Sequence, residues 1–226
     1  MIDVAAQVTG FDKVELRRLN MIKADQLPFE TGLNFTYDCG DFPKVFEKAL
    51  NAAGYFEFEK RRMESKKKQK IRGLGVSNPI EIAAGPDNSP NPEFAAVTAK
   101  TNGTLEVLVG SQDSGQGHAT SFRQLLSDRI GVDPENISII TGDTRRIKQG
   151  TGTFGSRTIA SAGTSILNAV NEMIIRLAPT AAVQLGVDEC QLQFSQGLWT
   201  CAGSNLRNHN IRFHEVQKML QEDLKV

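Results

Sequence analysis

The sequence predicts an α+β fold, in which helices pack on a mixed and largely antiparallel sheet. Three observations lead to this class. Helical patterns dominate residues 1–70, a hairpin signal follows at Asn102-Gly103, and helices and short apolar runs then occur together up to the C-terminus. The chain contains no internal repeat.

Residues 1–70 are predicted to be a helical N-terminal segment. An amphipathic pattern covers residues 14–23, and a second apolar stripe runs along residues 42–53 at the spacing of one helix face. Asp41 is a suitable N-cap for the second helix, with Pro43 in its first turn, and Gly54 is a suitable stop.

The basic run at residues 60–72 has two interpretations. It could be a nucleic-acid patch, but no aromatic residues are interleaved with its charges. A solvated helix face is the better interpretation, because the 26 Lys and Arg residues of the chain are balanced by 26 Asp and Glu residues.

Residues 71–226 are predicted to form an α+β segment that contains two glycine-rich loops. A strand-like pattern starts at Ile71 and includes Ile82, and a loop at residues 85–92 follows it. Asn102-Gly103 joins two alternating runs, residues 94–100 and 104–109, as a two-residue hairpin. The later expectations are a helix at 122–130 ending at Gly131, a strand at 137–140, a helix at 159–177 that Pro179 separates from a further turn ending at Gly186, strands near 190–194 and 198–201, and an amphipathic helix at 212–224.

Composition excludes several classes of function. A chain of 226 residues with zero formal net charge has no long-range field to hold a polyanion, so we expect no nucleic-acid partner. No apolar run approaches the roughly 20 residues of a membrane span, so we expect no membrane partner. The N-terminus resembles no secretory signal, and Cys39, Cys190 and Cys201 fit reduced thiols, so we expect a cytoplasmic protein.

The first glycine-rich loop, residues 110–118, leads from a predicted strand into a predicted helix. Glycines allow backbone N–H groups to approach an anion, and a helix N-terminus adds a favourable dipole. Ser, Gln and His side chains in the loop supply neutral donors, which suit a phosphate or a polar cofactor. A plain strand–helix connection with an Asp or Ser cap explains the same composition, and both interpretations stay open.

The second glycine-rich loop, residues 150–155, also precedes a helix. Arg157 beside it could bind a phosphate through two hydrogen bonds, which suits the planar guanidinium. Gly150, Gly152 and Gly155 also match GxGxxG, the fingerprint of a dinucleotide-dependent oxidoreductase. That alternative is disfavoured, because the predicted strand ends near Thr141, eight residues before the first glycine, and the fingerprint needs an adjacent strand.

The sequence offers no catalytic or metal-ligating residue. His118 has no second His or carboxylate at ligand spacing, and His209 and His214 lie near the C-terminus, so a hydrogen-bonding or capping role is favoured. No Ser/His/Asp order or paired carboxylates stand out. Cys39 has no cationic neighbour to lower the pKa of its thiol, so a nucleophile is not expected.

Three segments together resemble the large subunit of the molybdenum hydroxylases, the family of xanthine dehydrogenases, aldehyde oxidases and carbon monoxide dehydrogenases. They are SGQGHAT at 114–120, GDT at 142–144 and GTFGSRT at 152–158, and their order and spacing match the family. The resemblance extends to VELRRLN at 14–20, YDCGDF at 37–42, RGLGV at 72–76 and LGV at 185–187. It therefore covers nearly the whole chain.

The resemblance implies part of a molybdenum cofactor-binding domain, in which the two loops wrap a molybdenum-pterin and its phosphates. The cofactor is molybdopterin, with the cytosine dinucleotide form as one alternative, while iron–sulfur clusters and FAD are implied only on partner subunits or domains. The cofactor-binding residues that it implies are Gly115, Gln116, Gly117, His118, Thr120, Gly155, Ser156, Arg157 and Thr158.

The family hydroxylates a heterocycle or an aldehyde with water as the oxygen source, and this chain departs from it in one important respect. The catalytic glutamate of the family lies in a GxGE segment, which is absent here; Glu215 and Glu222 follow no glycine. We therefore expect a molybdenum-dependent oxidoreductase of which this chain is one part, a fragment or a piece of a split subunit. It holds the cofactor, lacks the catalytic base and is inactive when isolated.

The implied partners are the remaining part of the molybdenum-binding subunit and the iron–sulfur and flavin subunits. A second alternative is a non-catalytic interaction module that keeps the fold and has lost the cofactor. Ser114 and Ala119 favour it, since many family members carry a larger polar residue at the first position and Glu at the second.

Overall fold

The fold is taken from a computed structural model, which describes residues 1–33, 35–81, 83, 92–201 and 210–226. The chain forms two compact units, Met1–Ile80 and Glu81–Val226. No helix in these described ranges is long and apolar enough to cross a membrane.

The unit Met1–Ile80 is mainly helical. Its core is small and is formed by Val14, Phe46 and Leu50. Asp12 caps the second helix, because its carboxylate accepts hydrogen bonds from the amides of Val14 and Glu15. The elements are α1 (Ile2–Thr9), α2 (Lys13–Asn20), the antiparallel pair β1 (Phe29–Glu30) and β2 (Thr36–Tyr37), α3 (Phe42–Ala52) and α4 (Phe58–Lys67).

Two expectations for this region have different outcomes. The basic run begins within α4 and most of its Lys and Arg side chains are exposed, as a solvated helix face requires. The strand expected from Ile71 is wrong for the described residues 71–81, which form no strand. Here the carbonyl of Val76 accepts a hydrogen bond from Arg17 of α2 at 2.9 Å, so a helix side chain binds the backbone instead of a neighbouring strand. Ile82 and residues 84–91 lie outside the described ranges.

The unit Glu81–Val226 contains the sheet that the sequence predicts. Its four strands lie in the order β5-β4-β3-β9, with β4 and β5 parallel and the other neighbours antiparallel, and β6, β7 and β8 form a smaller antiparallel sheet. The mixed, largely antiparallel α+β prediction is confirmed. The elements are β3 (Ala95–Ala99), β4 (Leu105–Val109), α5 (His118–Ile130), β5 (Ile137–Thr141), α6 (Thr158–Leu185), β6 (Leu192–Ser195), β7 (Leu198–Cys201), β8 (Asn210–Arg212), α7 (Phe213–Gln217) and β9 (Leu224–Lys225).

The period-two pattern of β3 and β4 divides their residues between two faces. Val97 and Val107 enter the main core, where α5 and α6 supply Phe122 and Ile166. Ala96 and Leu108 point to the other face and pack with Ile147. Helices α5 and α6 therefore pack on one face of the sheet. Helix α5 begins after the loop that follows β4, and α6 begins after the loop that follows β5.

Helix α6 continues through Pro179, where the sequence predicted a division. Proline lacks an N–H group, so the carbonyl of Ile175 loses its intrahelical donor. Pro179 and Ile175 are both exposed, so water can supply that hydrogen bond. Leu177 and Ala181 are fully buried on either side of the proline, and their packing keeps the helix continuous.

The long C-terminal helix predicted at residues 212–224 is wrong. Only Phe213–Gln217 is helical, while residues 210–212 pair with β7 and residues 224–225 pair with β3. One edge of strand β3 pairs with β4, and β9 pairs with the other edge. Hydrogen bonding to that edge satisfies backbone groups that an amphipathic helix would have left unpaired.

Candidate functional site

The two glycine-rich loops touch at Gly110 and Gly150. A Cβ atom on Gly150 would lie 2.6 Å from the Cα atom of Gly110 and 2.7 Å from its carbonyl oxygen. A side chain at either position would push the two backbones apart, so the contact requires glycine in both loops. A second link is the hydroxyl of Thr153, which donates to the carbonyl of Gln112 at 2.5 Å.

A buried carboxylate, that of Glu93, also joins the loops. Its Oε2 atom accepts hydrogen bonds from the hydroxyl of Ser111 at 2.7 Å and the amide of Gly152 at 3.3 Å, and Oε1 accepts from the amide of Thr151 at 3.2 Å. Its side chain is completely buried. Sequence reasoning missed Glu93, although an acidic residue directly before an apolar strand was a possible signal.

These hydrogen bonds keep Glu93 ionised. Burial acts to raise the pKa of its carboxyl group, but the hydroxyl of Ser111 and the amides of Phe94, Thr151 and Gly152 act in the opposite direction. The pKa of Glu93 is therefore held below the usual value of a glutamate. A charged carboxylate thus lies where the two loops meet.

The guanidinium of Arg157 faces this carboxylate. Its Nη1 atom donates to the carbonyl of Gly152 at 2.9 Å and lies 3.5 Å from Oε2 of Glu93, and its Cζ atom lies 5.0 Å from the centre of the Phe154 ring. The Arg157 side chain is completely buried. Its described contacts stabilise the second loop from within.

In the first loop, the carboxylate of Asp113 accepts hydrogen bonds from three backbone amides. Oδ1 accepts from Gly115 at 2.8 Å and from Gln116 at 2.7 Å, and Oδ2 accepts from His118 at 2.9 Å. These amides, led by that of Gly115, lower the pKa of Asp113. The capped connection considered as an alternative is therefore present, and these three amides already have an acceptor.

The loops border a cleft of about 430 Å³. It contains five of the nine residues that the resemblance implies, namely Gln116, His118, Gly155, Ser156 and Thr158. Gly115, Gly117, Thr120 and Arg157 do not line it. The remaining lining residues are Ser121, Phe122, Thr153, Phe154 and Ile159.

His118 lines this cleft and carries an unsatisfied buried atom. Its Nδ1 atom is buried and has no hydrogen-bond partner among the described residues, and its ring lies 5.8 Å from that of Phe122. A buried polar atom without a partner costs free energy, and such atoms are rare in native proteins. A turn of the imidazole that brings Nδ1 to a ligand in the cleft would remove that cost.

The start of α6 provides a second polar feature of the cleft. The helix has 28 residues, and no side chain caps its first turn at Thr158. An uncapped N-terminus attracts negative charge through its N–H groups and dipole. Ser156, just before the helix, has a φ of 50°, which is uncommon for a residue other than glycine and is typical of functional sites.

The other candidate groups do not join the cleft. Cys39 belongs to the unit Met1–Ile80, and the carboxylate of Asp38 raises the pKa of its thiol. His214 lines a different depression near the Asn102-Gly103 turn, and His209 lies outside the described residues. The dinucleotide alternative lacks its strand–turn junction, because β5 ends at Thr141 and is an edge strand of a mixed sheet.

Comparisons with known proteins identify the family of the chain. A family model described as the molybdopterin cofactor-binding domain matches residues 48–224. The chain is 29% identical over 206 residues to the carbon monoxide dehydrogenase large chain of Afipia carboxidovorans, which covers 85% of this chain and 26% of that protein. It is 30% identical over 210 residues to the xanthine dehydrogenase molybdenum-binding subunit of Escherichia coli O157:H7, which covers 87% and 26%.

The fold matches a solved structure as well. A crystal structure of the Cu,Mo-CO dehydrogenase in its carbon monoxide reduced state superposes with a TM-score of 0.70 and 26% identity, covering 100% of this chain and 31% of that one. The chain thus spans about a quarter of the length of the curated relatives it matches.

Proposed function

The chain belongs to the molybdopterin cofactor-binding domain family, and from this premise we propose that it holds a molybdenum-pterin in the cleft between its two glycine-rich loops. One observation carries the proposal: the buried Nδ1 atom of His118 lacks a partner beside a cleft to which both loops contribute. The resemblance noted in the sequence is confirmed at the level of the family. The assignment of individual residues is part of the proposal.

The donors present fit such a cofactor. The side-chain amide of Gln116, the imidazole of His118 and the hydroxyls of Ser156 and Thr158 are neutral groups suited to the polar edges of a pterin. The uncapped start of α6 suits its phosphate, because the helix dipole favours an anion there. We assign the anionic part of the cofactor to Gly155, Ser156 and Thr158 for this reason.

The remaining implied residues act through the shape of the loops. Gly115 and Gly117 have φ values of 105° and 78°, which allow the first loop to turn into α5. Thr120 lies in the first turn of that helix. Arg157 supports the second loop through its contact with Gly152.

When bound, the cofactor supplies the redox chemistry that hydroxylates a heterocycle or an aldehyde with water as the oxygen source. The residues of this chain bind and orient it, and Phe154 and Ile159 give the cleft apolar surface on which the cofactor packs. No carboxylate occurs among the described residues that line the cleft. We therefore place the catalytic base in another part of the subunit.

The chain is proposed to work within a larger assembly. The relatives are called a large chain and a molybdenum-binding subunit and are about three and a half times as long. The proposed partners are the rest of the molybdenum-binding subunit and the iron–sulfur and flavin subunits. The proposal has three further parts. The pterin is in its cytosine dinucleotide form, the protein is cytoplasmic, and the chain divides into segments 1–70 and 71–226.

The test measures metal and pterin in a purified complex. The chain is tagged and coexpressed with its neighbouring reading frames in a host that makes the cofactor; molybdenum is measured by mass spectrometry and pterin by fluorescence after oxidation. His118→Ala is expected to lower both contents by about tenfold, because it removes a buried hydrogen-bonding group. His214→Ala, outside the cleft, is expected to leave both unchanged.

Three outcomes would contradict the proposal. A stable wild-type complex without molybdenum or pterin would favour the interaction module. Substrate-dependent dye reduction by the purified chain alone would contradict the assignment of the catalytic base to another part of the subunit. Saturable binding of a nicotinamide nucleotide that Gly152→Val abolishes would instead favour the dinucleotide alternative.

A further inference from the structure

We propose that Glu93 is a positioning residue that couples the two glycine-rich loops and so sets the shape of the cleft between them. The part of this inference that concerns the ligand rests on the proposed function. The coupling of the loops does not, since it concerns only residues of this chain.

The contacts of Glu93 are concentrated at the loops. Ser111 belongs to the first loop, whereas Thr151 and Gly152 belong to the second. The backbone carbonyl of Glu93 also accepts a hydrogen bond from the hydroxyl of Ser165 at 2.8 Å, which connects it to α6. One residue therefore binds both loops and the helix whose N-terminus borders the cleft.

The chemistry around Glu93 requires an acceptor with two oxygen atoms. The groups that reach it are donors: one hydroxyl, the amides of Phe94, Thr151 and Gly152, and the guanidinium of Arg157. An ionised carboxylate accepts from all of them, whereas the –NH₂ group of a glutamine would face donors. A buried charge is stable only while such donors surround it. The loops and the carboxylate therefore stabilise one another in a single arrangement.

The close contact of Gly110 with Gly150 belongs to the same arrangement. Oε1 of Glu93 lies close to the position that a Cβ atom on Gly110 would occupy, so the carboxylate fills the space beside the touching backbones. Glu93 does not line the cleft. It therefore acts on a ligand only through the loops.

The experiment compares Glu93→Gln with Glu106→Gln in the complete chain by hydrogen–deuterium exchange. Glu106 lies on β4 and pairs with Arg146 at the surface, so it is a matched loss of one carboxylate. Glu93→Gln is expected to speed amide exchange about tenfold or more in residues 110–118 and 150–157, because buried donors lose their acceptor. Exchange in β4 and β5 is expected to stay unchanged, and Glu106→Gln is expected to leave both loops protected.

A second readout separates positioning from general stability. In the coexpressed complex, Glu93→Gln is expected to lower pterin content at unchanged protection of β4 and β5, and Glu93→Asp, which keeps the charge, is expected to restore part of it. Unchanged loop exchange, or faster exchange spread evenly over β4 and β5, would overturn the inference. If Glu93→Gln does not fold, Ser111→Ala removes one donor, and the same loop-confined pattern is expected; its absence would also overturn the inference.

The failure of this inference differs from that of the proposed function. A wild-type complex without pterin, combined with loop-confined exchange in Glu93→Gln, rejects the proposed function and keeps the coupling. A complex that contains pterin, combined with unchanged loop exchange in Glu93→Gln, keeps the proposed function and rejects the coupling.

Discussion

Arg157→Met is expected to lower the free energy of unfolding of the unit Glu81–Val226 by about 1–3 kcal/mol, because a buried charge loses one of its hydrogen-bond donors. The charge is that of Glu93, whose side chain and that of Arg157 are both completely buried. Trp199 is the only tryptophan of the chain and is buried in this unit, so its fluorescence in a urea titration follows the relevant transition.

Arg146→Met is the matched control for this variant. It removes an arginine paired with Glu106 at the surface, where an ion pair adds little to stability, so the urea midpoint is expected to change little. The comparison also decides between two roles of Arg157. If Arg157 only bound the cofactor phosphate, Arg157→Met would leave the stability of the cofactor-free chain unchanged and would lower only pterin retention. That result would contradict the structural role.

Gly150→Ala is expected to destabilise the same unit by about 1–3 kcal/mol, because the new methyl group has no space and the backbones must move apart. The three backbone atoms of Gly110 that it would meet belong to the first loop and cannot rotate away as a side chain would. Separation of the loops is also expected to abolish pterin retention in the coexpressed complex.

The same substitution at Gly163 provides the control. A Cβ atom there would lie 3.4 Å from methyl groups of Ile159 and Leu125, an ordinary contact with flexible side chains. Gly163→Ala is expected to stabilise α6 by about 0.5–1 kcal/mol, since alanine favours a helix more than glycine does. Equal urea midpoints for the two variants would show that the close contact at Gly150 has no effect on stability.

The sequence predicts best what neighbouring residues determine. The alternation of β3 and β4 and the Asn102-Gly103 turn suffice to define the hairpin, because side-chain period and turn conformation are local properties. Gly131 ends α5 as expected, with a left-handed φ of 67°. The loops were likewise found from composition and from the resemblance.

Non-local contacts explain the failures. Burial of Leu177 and Ala181 overrides the helix-breaking tendency of Pro179, and the open edge of β3 recruits Leu224 and Lys225 from an apparently helical segment. The role of Glu93 could not be predicted from the sequence for the same reason. The donors that define its role lie 18 and more residues away in sequence and are brought together only by the fold.

The carboxylate of Asp113 has a consequence for how a ligand enters. Because it already satisfies amides of Gly115, Gln116 and His118, the first loop is ordered before anything binds. The conformational entropy of that loop is lost during folding and not during association. We therefore expect a ligand to bind to a preorganised first loop, without folding of the loop coupled to binding.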